Sequence, residues 1–213
     1  MLTFPCDAVL FDMDGTLVDS NAVVERIWRG WAVRNGFDPD PILAVAHGRR
    51  TSETMHEIAP GVDYAKEAAW FDAQEELDTD GVVEVRGAAT LIAHLERWAV
   101  VTSAHRKLAE IRLGSAGLPI PAVMVCGDEI TRGKPDPESY LKAALLLGAR
   151  PDRCVVIEDT PVGIEAGRRA GMQLIAVGTT HPASMFDGVA WVRDLSGLRM
   201  EGGAIRVVRI NVV

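Results

Sequence analysis

The stretch Ala8-Val9-Leu10-Phe11-Asp12-Met13-Asp14-Gly15-Thr16-Leu17-Val18-Asp19 joins an unbroken apolar run to an acidic turn. Four consecutive apolar residues, ended by charge instead of continuing at helical spacing, predict a strand buried on both faces. Ligands of open α/β sheets sit beyond the carboxyl ends of strands, which is where this pattern puts Asp12. A carboxylate there is a candidate nucleophile toward phosphorus, and Asp14 a candidate acid–base partner. Gly15 permits a tight turn that leaves backbone N–H groups free. On its own the same acidic pair also reads as a solvated turn.

Further apolar runs of this kind occur at Trp98–Val101, 122–126, 154–157, Gln173–Val177 and 189–192. Helical periods separate several of them, and strand alternating with helix implies a parallel sheet covered on both faces. The expected fold class is α/β, with a Rossmann-like parallel sheet core. Residues 20–80 break the rhythm. Asn21–Asn35 sets Val24, Ile27, Trp28 and Trp31 at helical spacing. Tyr64–Leu77 does so with Ala68, Phe71 and Leu77, and its acids are expected on the opposite face. The expectation is an all-helical insert, residues 19–81, in a core formed by residues 1–18 and 82–213. The two tryptophans are read as the packing of that insert, with a sugar-stacking platform as the alternative. In residues 160–172, Gly163, Gly167 and Gly171 recur on one helix face. Charged Glu165, Arg168 and Arg169 exclude a membrane helix there, so close approach to the sheet is expected. Residues 202–213 read as a terminal strand plus tail.

Three other loops carry candidate chemistry. Thr102-Ser103 follows the run ending at Val101, where a hydroxyl and an N–H can hold a phosphate oxygen; ordinary turn chemistry is the alternative. Lys134 sits between Gly133 and Pro135, where a flexible point charge can reach an anion or simply face solvent. The stretch from Gly127 to Lys134 is not a P-loop, because Pro135 stands where a metal-binding hydroxyl is needed. Glu158-Asp159 ends the run beginning at Cys154. Adjacent carboxylates at a buried strand end repel unless a cation neutralises them, and oxygen-only ligands suit Mg²⁺. A helix N-terminus also welcomes acids.

The net charge of −8, from 30 acids against 22 bases, argues against a nucleic-acid partner. No apolar run approaches the ~20 residues that span a bilayer, and the N-terminus has no secretory pattern. Cys6, Cys126 and Cys154 read as buried reduced thiols of a cytoplasmic protein. No heptad is present, so monomer is the default expectation.

The order of the four loops, DxDGT, TS, GKP and ED, resembles the haloacid dehalogenase superfamily of aspartyl-nucleophile phosphotransferases. The insert resembles the small helical cap of its β-phosphoglucomutase-like members. The resemblance implies that Asp12 attacks phosphorus and that Asp14 protonates the leaving oxygen, then activates water. It implies a Mg²⁺ cofactor held by the Asp12 and Asp159 carboxylates and the Asp14 carbonyl. Glu158 is then a further ligand or a supporting group. Thr102, the Ser103 N–H and Lys134 would grip phosphoryl oxygens. An Asp at position 14 is similar to the phosphatases and phosphomutases of the family. The close sugar phosphomutases carry a His in the first cap helix, and residues 20–34 contain none. Residues 46–55 resemble the cap segment of sugar-phosphate, 2-deoxyglucose-6-phosphate and glycerol-phosphate phosphatases. That match has Gly48 allowing close approach and Arg49 facing a small phosphorylated sugar or polyol substrate. Arg50 is the competing candidate, a helix start is the other use of either arginine, and His47 is read as structural. The expected function is a Mg²⁺-dependent phosphatase, with a phosphomutase or a non-catalytic metabolite-binding protein as alternatives. Residues 95–98 are shorter than the usual approach to the second motif, so the helix before that strand must end abruptly.

Overall fold

The computed structural model describes residues 2–46 and 49–208. In chain order the elements are β1 (Leu2–Pro5), β2 (Ala8–Phe11), β3 (Val18–Asp19), α1 (Asn21–Asn35), α2 (Pro39–Ala46), α3 (Thr51–Ile58) and α4 (Tyr64–Leu77). There follow β4 (Val83–Glu84), α5 (Ala88–Ile92), β5 (Trp98–Val101), α6 (Arg106–Ser115), β6 (Val123–Val125) and α7 (Glu138–Leu146). The chain ends with β7 (Cys154–Glu158), α8 (Pro161–Arg169), β8 (Gln173–Val177), β9 (Ala190–Val192), β10 (Leu198–Glu201) and β11 (Ala204–Val207).

The main sheet is parallel, in the order β6-β5-β2-β7-β8-β9. Its strands alternate side chains between two apolar layers, as pleating requires. Val9 and Phe11 join one layer with Ala109 and Leu113 of α6; Ala8 and Leu10 join the other with Tyr140 of α7 and Ala166 of α8. Because β2 lies between β5 and β7, the carboxyl ends of all three are neighbours. That adjacency brings residues 12, 102 and 158–159 together from distant parts of the chain.

The helical stretch α1–α4 leaves and re-enters through β3 and β4, which pair antiparallel with Val18 opposite Glu84 and Asp19 opposite Val83. Trp28 and Trp31 are buried in it, edge-to-face with centroids 5.5 Å apart. The expected polarity of α4 is reversed in part. Leu77 is exposed, whereas Glu67 and Glu75 are buried beside Phe71. Trp31 Nε1 donates to Glu67 at 2.8 Å and Arg34 pairs with the same carboxylate. The buried charges are partnered, which is why acids can face inward here. The short helix α5 ends at Ile92, as the brevity of residues 95–98 requires.

The sequence reading did not find β1 or β10. Both join β11 in a separate antiparallel sheet, and their residues are largely exposed or alternate with charges, so no apolar run marks them. Residues 47, 48 and 209–213 lie outside the described residues, and with them the readings of His47 and Gly48. No helix among the described residues is long and apolar enough to cross a membrane.

Of the three spaced glycines, two face the sheet. A Cβ on Gly163 would fall 1.6 Å from Glu158 Oε1, and one on Gly167 would fall 2.7 Å from Leu174. Gly171 instead has φ +73° beyond the end of α8. Gly163→Ala is therefore expected to lower stability by about 1–3 kcal/mol through overpacking. Gly30→Ala, on the exposed face of α1 with nothing near its Cβ, is expected to raise it by about 0.5–1 kcal/mol. Urea titration of both variants checks the pair.

Candidate active site

Asp12 follows β2, 4% exposed, its N–H donating to the Ile157 carbonyl of β7 at 3.0 Å. The backbone then folds tightly: the N–H groups of Thr16, Leu17 and Val18 all point at the Met13 carbonyl. Gly15 makes this turn with φ +79°, and a Cβ there would sit 2.0 Å from Asp159 Oδ2. Glycine is thus required twice, by the left-handed backbone and by the approach of Asp159. Thr16 Oγ1 donates to Asp159 Oδ1 at 3.0 Å, tying the first acidic loop to the last.

Oxygens of Asp12, Glu158 and Asp159 lie within 4.8 Å of one another, and all three residues are buried. Lys134 reaches into this cluster, 4% exposed. Its Nζ pairs with Asp12, with Glu158 Oε1 at 2.7 Å and with the Val101 carbonyl at 3.3 Å. Burial works against the ammonium, but Asp12 and Glu158 outweigh it and hold Lys134 protonated well above the ordinary lysine range. Burial pushes Asp12 well up from the usual carboxylate range, with Lys134 opposing the rise. Burial, reinforced by Glu158, pushes Asp159 up to about 8. Three buried carboxylates against one ammonium leave two formal negative charges uncompensated. An all-oxygen donor set with that deficit fits one divalent cation.

Glu158 and Asp159 are used differently. Glu158 Oε2 accepts from the N–H groups of Asp159 and Thr160 and from Thr160 Oγ1, at 2.8–2.9 Å. Glu158 Oε1 takes Lys134 and, at 3.3 Å, the Tyr140 hydroxyl. The N-cap of α8 is Thr160, which accepts from Gly163 N–H, so Asp159 is free of capping duty and turns toward Gly15 and Thr16.

A cavity of about 70 Å³ opens above the cluster. Asp12, Asp14, Thr102, Ser103 and Asp159 line it from the sheet side, and Trp28, Arg49, Phe71 and Glu75 from the helical stretch. Thr102 is buried and its Oγ1 accepts from Ala104 N–H at 3.1 Å. Arg49 reaches the cavity while paired with Glu57 at 2.5 Å. Arg50 instead stands at the start of α3 and donates to the Ile130 carbonyl at 3.2 Å, in the loop that carries Lys134. Trp28 is both packed core and cavity wall.

Several site residues escaped the sequence reading. Thr179 and Thr180 follow β8 and touch the first loop: Thr179 donates to the Gly15 carbonyl, and Asn21 Nδ2 to Thr180 Oγ1 at 3.3 Å. Their position after a predicted strand was the available signal. Arg112 is buried on α6 and pairs with Asp14 at 2.8 Å and Glu75 at 2.7 Å. Its signal was a charge in line with the apolar face of Leu108, Ala109 and Leu113.

A central parallel sheet, acidic loops at the ends of β2 and β7, and a lysine between them define a hydrolase fold of the haloacid dehalogenase type. That family's description, haloacid dehalogenase-like hydrolase, matches residues 6–171, and the chain belongs to it. Hexitol phosphatase A of Escherichia coli (strain K12) is 42% identical over 179 residues, covering 81% of this chain and 83% of its own. The 2-deoxyglucose-6-phosphate phosphatase 1 of Saccharomyces cerevisiae is 31% identical, covering 89% of this chain and 87% of its own. A hydrolase crystal structure from Pseudomonas syringae shares the fold, with a TM-score of 0.80 at 23% identity over 89% of this chain and 94% of that one.

The raised value of Asp159, about 8 against an ordinary 3.8, makes a thermodynamic prediction. Between those values the folded state holds a proton that the unfolded chain has lost, so stability falls as pH rises. The slope contributed is on the order of 1 kcal/mol per pH unit. Melting temperatures in chelator should decline across this window, to which Glu75, raised by burial to about 7, and Asp12 contribute with the same sign, and either added Mg²⁺ or Asp159→Asn should make the decline shallower.

Proposed function

We propose that the protein is a Mg²⁺-dependent phosphatase of small sugar or polyol phosphate monoesters, working through an aspartyl-phosphate intermediate. The observation that carries this reading is the meeting of Asp12, Asp159 and Lys134 at one buried point beneath a cavity that also reaches Asp14. The named activities of the relatives, on hexitol phosphates and 2-deoxyglucose 6-phosphate, support the substrate class. α1 carries no histidine, which favours hydrolysis over the phosphomutase alternative.

In this mechanism an Asp12 oxygen bonds to phosphorus while the bond from phosphorus to the sugar or polyol oxygen breaks. Asp14 gives its proton to that leaving oxygen. A water then loses a proton to Asp14 as its oxygen bonds to phosphorus. The acyl phosphate bond breaks, and inorganic phosphate and the Asp12 carboxylate are restored. Thr102, Ser103 and Lys134 orient the phosphoryl oxygens; for this Lys134 exchanges one of its present acceptors. Asp12, the Asp14 carbonyl and Asp159 would hold Mg²⁺, which supplies charge neutralisation between an anionic substrate and an anionic nucleophile. Glu158, with both oxygens already engaged, supports Lys134 and the turn into α8. Residues 19–81 act as a cap on the core of residues 1–18 and 82–213. Arg49 and the Trp28–Phe71 wall face the hydroxyl-bearing leaving group and exclude water during transfer.

Phosphate release from a panel of hexitol, hexose and glycerol phosphates tests the reading. Asp12→Asn is expected to lower kcat by more than about 10³-fold with the fold intact, because nothing else replaces the nucleophile. Full activity in Asp12→Asn, or isomer formation in place of phosphate release, overturns it.

A further inference from the structure

The buried guanidinium of Arg112 links the two halves of the site. It is 3% exposed. Its Nη1 lies 2.8 Å from Asp14 Oδ1, and its Nη2 lies 2.7 Å from Glu75 Oε1. Asp14 belongs to the loop after β2, Arg112 to α6 of the core and Glu75 to α4 of the insert. A second donor reaches the same Asp14 oxygen: Ser20 Oγ, at 2.6 Å, from the residue that opens α1. Ser20 thus pins Asp14 from the insert, while Arg112, a core residue, holds Asp14 and the insert's Glu75 at once.

We infer that Arg112 is a positioning residue that sets the direction of the Asp14 carboxylate according to whether α4 is seated on α6. The inference rests on the reading of Asp14 as the acid–base group. A guanidinium is a planar fork whose donors have fixed directions, so two carboxylates held at once fix each other's placement. With α4 seated, Glu75 shares the fork and Asp14 receives one of its arms. When α4 lifts, Glu75 leaves with it. The whole buried charge then faces Asp14 and draws its carboxylate toward α6, away from the leaving oxygen. Proton delivery is in this way restricted to the closed arrangement, in which the cavity is covered.

The rim of the α4–α6 contact is polar. Beside the Glu75 pair, Glu76 meets Lys107 at 2.6 Å and His105 at 3.8 Å, so acids of α4 face bases at the start of α6 and beyond. Such polar contacts can be exchanged for water more readily than an apolar seam.

Leaving-group dependence distinguishes this role from simple support of the fold. An alkoxide leaving group needs the Asp14 proton, whereas p-nitrophenolate does not. The value of kcat/KM reports the step that transfers phosphorus to Asp12, before water is involved. In Arg112→Lys and Arg112→Met, kcat/KM for a hexitol phosphate is expected to fall about 30–100-fold, up to the lower limit of the range of general acid catalysis, with p-nitrophenyl phosphate changed by less than about 3-fold. Glu75→Gln should show the same split at about 5-fold, a fraction of that range. The double variant Arg112→Met/Glu75→Gln should lose no more than Arg112→Met alone. If Arg112→Met fails to fold, Arg112→Lys keeps the charge without the fork and gives the same reading. Asp14→Asn is the reference. Equal losses on both substrates in Asp14→Asn would remove the acid–base reading itself. A clear split in Asp14→Asn with equal losses, or none, in the Arg112 variants would overturn the Arg112 proposal alone. Unchanged hexitol-phosphate kinetics in Glu75→Gln would overturn its link to the insert.

Discussion

Negative charge without enough positive charge, held out of water, is the constraint around which the site is built. Asp12, Glu158 and Asp159 are buried together where β2 and β7 end, with Lys134 as their ammonium partner. Burying ions is costly unless each is paired and hydrogen-bonded. The sheet meets that condition by topology. β2 runs between β5 and β7, so hydrogen bonds from three loops meet at one point: Thr16 donates to Asp159, the α8 turn donates to Glu158, and the Val101 carbonyl and both acids accept from Lys134. The remaining negative charge is of the size that one divalent cation could neutralise.

The insert applies the same physics to its own interior. Glu67 and Glu75 point inward on α4 while Leu77 is exposed. Glu67 is met by Trp31 and Arg34 within the helices, and Glu75 by Arg112 across to the core. One buried acid thus joins the helices to one another, and the other joins α4 to α6. A leucine at either place would pack but would carry no direction. Charge-assisted hydrogen bonds carry one.

The fold was legible because its decisive elements are buried on both faces. β2, β5 and β8 are continuous apolar runs and emerge with the boundaries read from the sequence, as do α1 and α4. β1 and β10 were not legible, because β1 is largely exposed and β10 alternates with charges, so neither forms an apolar run. In the candidate site, Asp12, Asp14, Thr102 and Asp159 were legible as candidates because they follow strand ends, and Lys134 because it lies between Gly133 and Pro135 in a loop. The same rule applied to residues after β8 points to Thr179 and Thr180. Arg112 and Glu75 are a different case. Each is a charge inside a helix, and helical spacing can place Arg112 on the buried face of α6 without naming its partners. Their meeting with Asp14 depends on how two helices from different units are packed, which no local pattern encodes.

Adjacent carboxylates at the end of β7 illustrate how hydrogen bonding divides roles that sequence leaves open. Glu158 and Asp159 have the same chemistry and are both buried. Yet Glu158 receives two backbone N–H groups, two hydroxyls and an ammonium, which occupies both of its oxygens. A cation would have to displace one of these donors to reach it. Asp159 has fewer partners, the hydroxyls of Thr16 and Thr180, and lies against Gly15 at the turn that carries Asp14. Gly163, which cannot be larger without striking Glu158, keeps the start of α8 close enough for Glu158 to receive the turn. The glycine, the turn and the glutamate form one support, and that support leaves Asp159 as the carboxylate of the pair with bonding capacity to offer.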